Sequence, residues 1–451
     1  MTDSRHIHAS TYYALAAVIG ALTGVLGAAF HLLVERTLSG THHLPTLLGL
    51  EGPMLYVVMA LFSAMMFCAA VALVRCFVPE ASGSGVQEIE GAMAGLREVR
   101  WKRVLPVKFI GGILALGAGL VGGREGPTIH MGASIAKAIG DRFTMRIRDA
   151  RALLGAGGAA GLTAAFNAPL AASLFVIEEA RKVFPYSKQR YLAVILACVC
   201  SAIATTAITG TTPYMALTSD YMPARFLPAF VLLGILLGVI GVIFNRTILV
   251  CLDLARQVGL KTSPYLLPLI LGCIIGPLLV AFPEATGGGE SLVSVLAKHP
   301  LPIGLLAIVV LARFIMTAAS YSIGAPAGIF APILALAAAL GSLLGNLLAL
   351  IMPLPVDGLV AFTVAGMAGL FASTVRAPLV GVVLVIELTG SYALAIPALL
   401  TSMTAAMISI GLGGNPIYEE LLKRTLRLAE PPQPPQGSAD QCQSHEPTHF
   451  R

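Results

Sequence analysis

The chain has 451 residues, of which 57% are hydrophobic and 12% charged, with a mean hydropathy of +0.85. A soluble protein carries about a quarter charged residues, so 29 basic and 23 acidic side chains are too few to cover a water-facing surface of this size. Soluble enzymes, nucleic-acid binders and disordered scaffolds are thereby excluded. A polytopic membrane protein remains, and the net charge of +6 fits basic loops gathered at one side of a bilayer.

In chain order, residues 1–11 form a short polar tail. The first apolar run, 12–35, is too long for a signal-peptide h-region and lacks a small-residue cleavage site. Runs able to cross about 30 Å of hydrocarbon follow at 53–77, 104–122, 191–210, 227–252, 265–282, 302–319, 329–352 and 392–412. Between them lie pieces interrupted by glycine, proline or charge, at 84–96, 126–140, 152–166, 168–180, 286–297, 357–373 and 376–390. These pieces are too short or too broken to be ordinary spans. The pattern is all-α, with discontinuous helices of the kind that carry helix ends to the middle of a membrane. Gly20/Gly24, Gly234/Gly238 and Gly341/Gly345 are predicted close-packing pairs. From residue 429 the Pro-rich tail is predicted to be disordered.

Other chemistries find no support. The seven cysteines show neither disulfide nor zinc spacing. His6, His8, His445 and His449 sit in the polar tails and are read as solvated, so no metal and no cofactor is expected. There is no H-E-x-x-H motif and no plausible Ser/His/Asp set in the spans, which argues against an enzyme. Gly155–Ala160 satisfies G-x-G-x-x-A, but a helical, arginine-flanked stretch precedes it where a dinucleotide fingerprint needs a strand. Helix packing is the better account.

An internal repeat organises the rest. Residues 168–178 (A-P-L-A-A-S-L-F-V-I-E) and 377–387 (A-P-L-V-G-V-V-L-V-I-E) share their first three and last three residues. Upstream of each copy lies G-x-x-x-P, Gly123 to Pro127 and Gly328 to Pro332. Two related halves, about 12–212 and 226–428, imply pseudo-twofold architecture with a site between them; hydropathy alone leaves their relative orientation open. The loops G-S-G-V-Q (Gly83–Gln87), G-R-E-G-P (Gly123–Pro127) and G-I-F-A-P (Gly328–Pro332) each precede a short apolar helix. Helix N-termini carry free N–H groups and about half a positive charge. Several of them converging at mid-membrane would hold a small anion.

Eight ionisable residues fall in apolar segments or at their broken ends: Lys108, Arg124, Glu125, Glu178, Glu179, Arg313, Arg376 and Glu387. Such charges tend to mark pathways. Glu125, beside a helix N-terminus, can act as a tethered anion that leaves when protonated. Glu178 aligns with Glu387, which suggests a structural role shared by both halves, such as pairing with a buried arginine. Glu179 has no acidic counterpart, since Leu388 takes that place, and is the better candidate for proton transfer. Lys108 and Arg313 either raise the potential near the pore or neutralise these acids.

The three loops, the A-P-L repeat and N-P-I-Y at Asn415–Tyr418 resemble the CLC family of chloride channels and chloride/proton antiporters, over about residues 12–428. The resemblance implies inverted-repeat halves with many tilted, discontinuous helices. By it, the Ser84 and Tyr418 hydroxyls and the amides of Ile329 and Phe330 would coordinate chloride. Glu125 would be the gating glutamate and external proton acceptor, and Glu179 the internal proton-transfer glutamate. It further implies a homodimer with one pore per subunit, multi-pass in a bacterial inner membrane among its lipids, with cytoplasmic termini. No nucleotide-binding CBS domain is expected. Gln87 stands where the family usually has proline and Ala327 where it often has glycine. Ser84 favours chloride, since nitrate-preferring relatives tend to carry proline there. Chloride/proton exchange is the leading expectation; a passive voltage- or pH-gated chloride channel of the same fold is the alternative. Basic clusters at Arg97–Arg103, Arg181–Arg190 and Lys423–Arg427 suit cytoplasmic loops, whereas the family topology is expected to put Arg142–Arg151 outside, against the positive-inside trend.

Overall fold

A computed structural model describes residues 8–49, 51–210, 215, 217, 221–298, 301–355 and 357–429. Among them the regular structure is helical. The helices are α1 (Ala9–Leu47), α2 (Gly52–Phe77), α3 (Val86–Ala94), α4 (Trp101–Gly117), α5 (Glu125–Gly140), α6 (Ile147–Phe166), α7 (Pro169–Glu178) and α8 (Lys188–Thr209). They continue with α9 (Leu227–Lys261), α10 (Leu266–Ala281), α11 (Glu290–Lys298), α12 (Ile303–Ser322) and α13 (Phe330–Ala349). The last are α14 (Gly358–Val375), α15 (Pro378–Thr389), α16 (Ala395–Gly411) and α17 (Ile417–Ala429). Eight helices among the described residues are long and apolar enough to cross a membrane. The protein is a multi-pass membrane protein.

Packing repeats along the chain. α1 lies on α8 where Gly20 and Gly24 abut the carbonyls of Ala197 and Ser201. α9 lies on α16 in the same way, through Gly234 and Gly238 against Thr401 and Ala405. α5 packs on α6 as α13 packs on α14, the second contact carried by Gly341 against the Phe362 carbonyl. Lipid tails are as apolar as leucine, so dispersion at bare glycine backbone drives these contacts. The Gly155–Ala160 stretch lies inside α6, where Gly157 meets the Gly132 backbone of α5.

Four expectations from sequence change. α1 starts at Ala9, so its first turn takes in part of the expected polar tail. The expected runs 104–122 and 265–282 are α4 and α10, helices of 17 and 16 residues that fall short of the eight candidate spans. The piece 357–373, read as too broken to span, is the unbroken helix α14. Its glycines serve contacts with neighbouring helices and leave the backbone ladder intact.

The fourth change concerns orientation. Arg142–Arg151 does not lie opposite the other basic clusters. The Arg151 guanidinium abuts Gly95, beside Arg97. Arg190 pairs with Asp149 at 2.9 Å, and the Tyr12 hydroxyl donates to the Asp149 carbonyl at 3.2 Å. Lys182 reaches Glu419 at 2.7 Å, and Lys423 reaches the same carboxylate at 3.1 Å. The hydrogen bond from Lys182 holds the Glu419 carboxyl below its usual range. All four clusters therefore share one face, because α6 begins where α5 ends and the turn between them stays at that face.

Candidate anion and proton site

Three helix N-termini build the site. The first is that of α3, introduced by Gly83-Ser84-Gly85. Gly85 takes φ +86°, a left-handed turn, and a side chain there would also strike the His130 ring. The loop is braced by Lys108, wholly buried on α4, whose Nζ donates to the carbonyls of Gly83 and Ser84 at 2.6 and 3.2 Å. The Ser84 N–H donates to the Tyr321 hydroxyl at 3.4 Å.

The other two N-termini belong to α5 and α13. Gly123 and Gly328 form an antiparallel bridge, exchanging N–H···O bonds of 2.8 and 2.7 Å. Each helix begins two residues beyond its bridging glycine, α5 at Glu125 and α13 at Phe330. The bridge thus sets the two helix starts against one another.

Glu125 is 1% exposed, and its carboxylate crosses to α13. Oε1 accepts from the N–H of Phe330 at 2.7 Å and of Ala331 at 3.4 Å. The N–H of Ile329 lies one residue earlier, at the cap position. Oε2 is buried without a hydrogen-bond partner. The Ser84 and Tyr418 hydroxyls share that condition, each in a residue with no exposure at all. A buried unpartnered hydroxyl costs about 1–3 kcal/mol, so two on one pocket are what a ligand would satisfy. The Tyr418 ring stacks on Phe330 at 6.5 Å between centroids, and Phe166, Phe175 and Phe371 pack around Phe330. These rings fix the start of α13 and keep the pocket dry.

Two cavities open from the basic face. One, about 330 Å³, is lined by Gly83, Gln87, Tyr321 and Arg424 and leads to the Ser84 loop. The other, about 690 Å³, is lined by Glu90, Glu179, Lys182 and Glu419. Glu179 closes the C-terminal end of α7, half-buried, away from the Ser84 loop's own mouth. Glu90 is a residue that sequence reasoning missed. It is 7% exposed, with a buried Oε1 that lacks a hydrogen-bond partner, on the wall it shares with Glu179. An acid inside the broken apolar piece 84–96 was the available signal.

Glu178 does not pair with a buried arginine. It accepts from the N–H groups of Leu379 and Val380 at 3.2 and 2.7 Å. Lys108 and Arg313 neutralise none of the acids directly; Arg313 donates to the carbonyls of Glu284, Thr286 and Gly287. Both cations hold loops. Gln87, in the first turn of α3, is 8% exposed on the wall of the smaller cavity, and Ala327 is buried behind Gly122.

Fold and site define a polytopic membrane protein whose helix ends converge on a dry pocket fit for an anion. The chain belongs to the CLC family: residues 65–410 match the family described as "Voltage gated chloride channel". It is 41% identical over 418 residues to the H(+)/Cl(-) exchange transporter ClcA of Vibrio campbellii, covering 92% of this chain and 89% of that relative. The ClcA of Salmonella agona is also 41% identical, over 417 residues, covering 91% of this chain and 88% of that relative. The crystal structure of a slow cyanobacterial Cl−/H+ antiporter superposes with a TM-score of 0.89 at 36% identity, covering 94% of this chain and 99% of that one. A CLC-type fluoride/proton antiporter shares the fold, with a TM-score of 0.73 at 20% identity, covering 92% of this chain and 98% of that one.

Proposed function

We propose that the protein exchanges chloride for protons across the membrane. The carrying observation is the Glu125 carboxylate seated on the N–H groups of Phe330 and Ala331, in a pocket with two unpartnered hydroxyls. Chloride and the carboxylate are both monoanions and compete for the same donors. Each hydrogen bond to a charged acceptor contributes about 1.5–3 kcal/mol. Protonation removes the charge, weakens those bonds and frees the amides for chloride, held further by Ser84 and Tyr418. Chloride arrival and proton uptake are thereby linked at one residue, and proton release returns the carboxylate to the amides.

Glu179 takes up protons from the basic face through the larger cavity, while chloride uses the mouth beside Gly83 and Gln87. Separate mouths let the two ions move in opposite directions. We place the basic face in the cytoplasm by the positive-inside rule, with both termini there and the protein in a bacterial inner membrane. A homodimer with one pore per subunit accords with the exposed apolar side chains of Leu170, Ile177, Leu379 and Met407 on α7, α15 and α16. The test is uphill transport in proteoliposomes. An imposed chloride gradient should drive protons against their own gradient; chloride flux with no proton movement would make the protein a passive channel.

A further inference from the structure

The bracing seen at Ser84 recurs in the second half, on the opposite face. Arg313 from α12 donates to the carbonyls of Glu284, Thr286 and Gly287 at 2.7, 2.7 and 3.0 Å, ahead of α11. Lys108 from α4 does the same ahead of α3. The half-two loop carries Gly288 where the half-one loop carries Ser84, and it leads into Glu290, the first residue of α11, at the place of Val86 in α3. It lines a cavity of about 370 Å³ whose wall includes Glu35, His42, Gly123 and Arg124.

Charges in this cavity are unevenly balanced. Glu290 lies 3.2 Å from the Arg124 guanidinium, and Glu35 lies 3.9 Å from it. The His31 Nδ1 meets an Arg124 N–H. A nitrogen that accepts from a guanidinium is unprotonated, so the ring carries its proton on Nε2, which faces Glu35 at 3.4 Å. Two carboxylates thus share one cation, leaving one negative charge beside water. Arg313 is turned into the loop carbonyls and makes no ion pair with either carboxylate among the described residues.

The same cavity reaches the gate. Gly123 lines it, and a methyl group on Gly123 would collide with the Glu125 carboxylate. Glu125 Oε2, buried and without a partner, lies on that side. A single bare glycine therefore separates the cavity from the carboxylate.

We propose that Glu290 is the outer proton-loading residue, exchanging protons between external water and Glu125. The proposal rests on Glu125 being the gate. A proton from water binds a Glu290 oxygen, which loosens from Arg124. It then passes through cavity water to Glu125 Oε2, which removes the carboxylate's charge and weakens the bonds that Oε1 accepts from Phe330 and Ala331, and the Glu290 carboxylate returns to Arg124. The reverse sequence releases it. Glu290 is favoured over Glu35 because it is the less exposed, 29% against 56%, and sits closer to Arg124.

Proton uptake should be measured in proteoliposomes of the full chain across external pH, for wild type, Glu290→Gln, Glu290→Asp and Glu125→Gln. A positioned acid–base group contributes 10²- to 10⁴-fold, and residual transfer through cavity water brings the expected loss in Glu290→Gln to about tenfold at alkaline external pH. At acid pH, where protons are plentiful, the rate should approach wild type. The chloride-to-proton ratio and calorimetric chloride affinity should hold, and Glu290→Asp should restore the profile. A wild-type profile in Glu290→Gln, an equal loss at every pH, or a changed chloride affinity would each overturn the proposal. Intact coupling in Glu125→Gln would instead overturn the gate beneath it.

Discussion

Glu178 and Glu387 cap each other's helices. Glu387 accepts from the N–H groups of Leu170 and Ala171 at 3.0 and 2.8 Å, at the start of α7. Glu178, at the end of α7, accepts from Leu379 and Val380 at the start of α15. The two helices therefore lie antiparallel, each ending on the other's positive pole, and each glutamate satisfies two donors that lack intrahelical partners.

Removing either cap should destabilise the fold without touching the pocket. Glu178→Ala should lose about 2 kcal/mol, from two charge-assisted bonds in a half-exposed setting. Glu178→Gln keeps one acceptor oxygen and should lose about half of that. Thermal unfolding in detergent should show the same ranking for Glu387. Transport per folded molecule should be unchanged, and a selective loss of proton coupling in Glu178→Ala would show that it does more than cap.

Glu125→Gln imitates the protonated gate and cannot release a proton. Chloride flux should persist, become insensitive to pH and carry no protons. Paired chloride and proton recordings from the same vesicles read all three consequences.

Glu179→Gln removes a proton carrier from the larger cavity and leaves the donors of the anion pocket in place. Coupled proton movement should vanish while calorimetric chloride affinity stays at the wild-type value. Full coupling in this variant would take Glu179 out of the mechanism.

Tyr418→Phe deletes a hydroxyl and keeps the ring against Phe330. A hydrogen bond to a charged partner contributes about 1.5–3 kcal/mol, so chloride should bind at least about tenfold more weakly. Tyr418→Ala removes the ring as well and should also loosen coupling by opening the pocket to water. Unchanged affinity in Tyr418→Phe would exclude the hydroxyl as a ligand.

Much of this was legible in the chain because membrane solvation is strict. Hydropathy exposed the spans, glycine spacing marked the contacts of α1 with α8 and of α9 with α16, and the A-P-L copies disclosed the repeat. Glu125 stood out as a carboxylate at the head of a glycine–proline loop. Gly–x–x–x–Pro announced where α5 and α13 begin, since glycine permits close approach and proline tolerates a first turn.

What the chain alone determined was local: which segments are helical, where they break, and which residues stand at the breaks. Only the tertiary structure decided who meets whom. It replaced an arginine partner for Glu178 with backbone N–H groups, turned Lys108 and Arg313 into braces for loop carbonyls, brought Arg142–Arg151 to the common basic face, and placed Glu90 beside Glu179. The physical reason is that hydropathy and spacing are properties of neighbours along the chain. A buried charge takes its partner from whatever packing brings within hydrogen-bond reach, and here those partners lie on separate helices: Phe330, which receives the gate carboxylate, is 205 positions from Glu125.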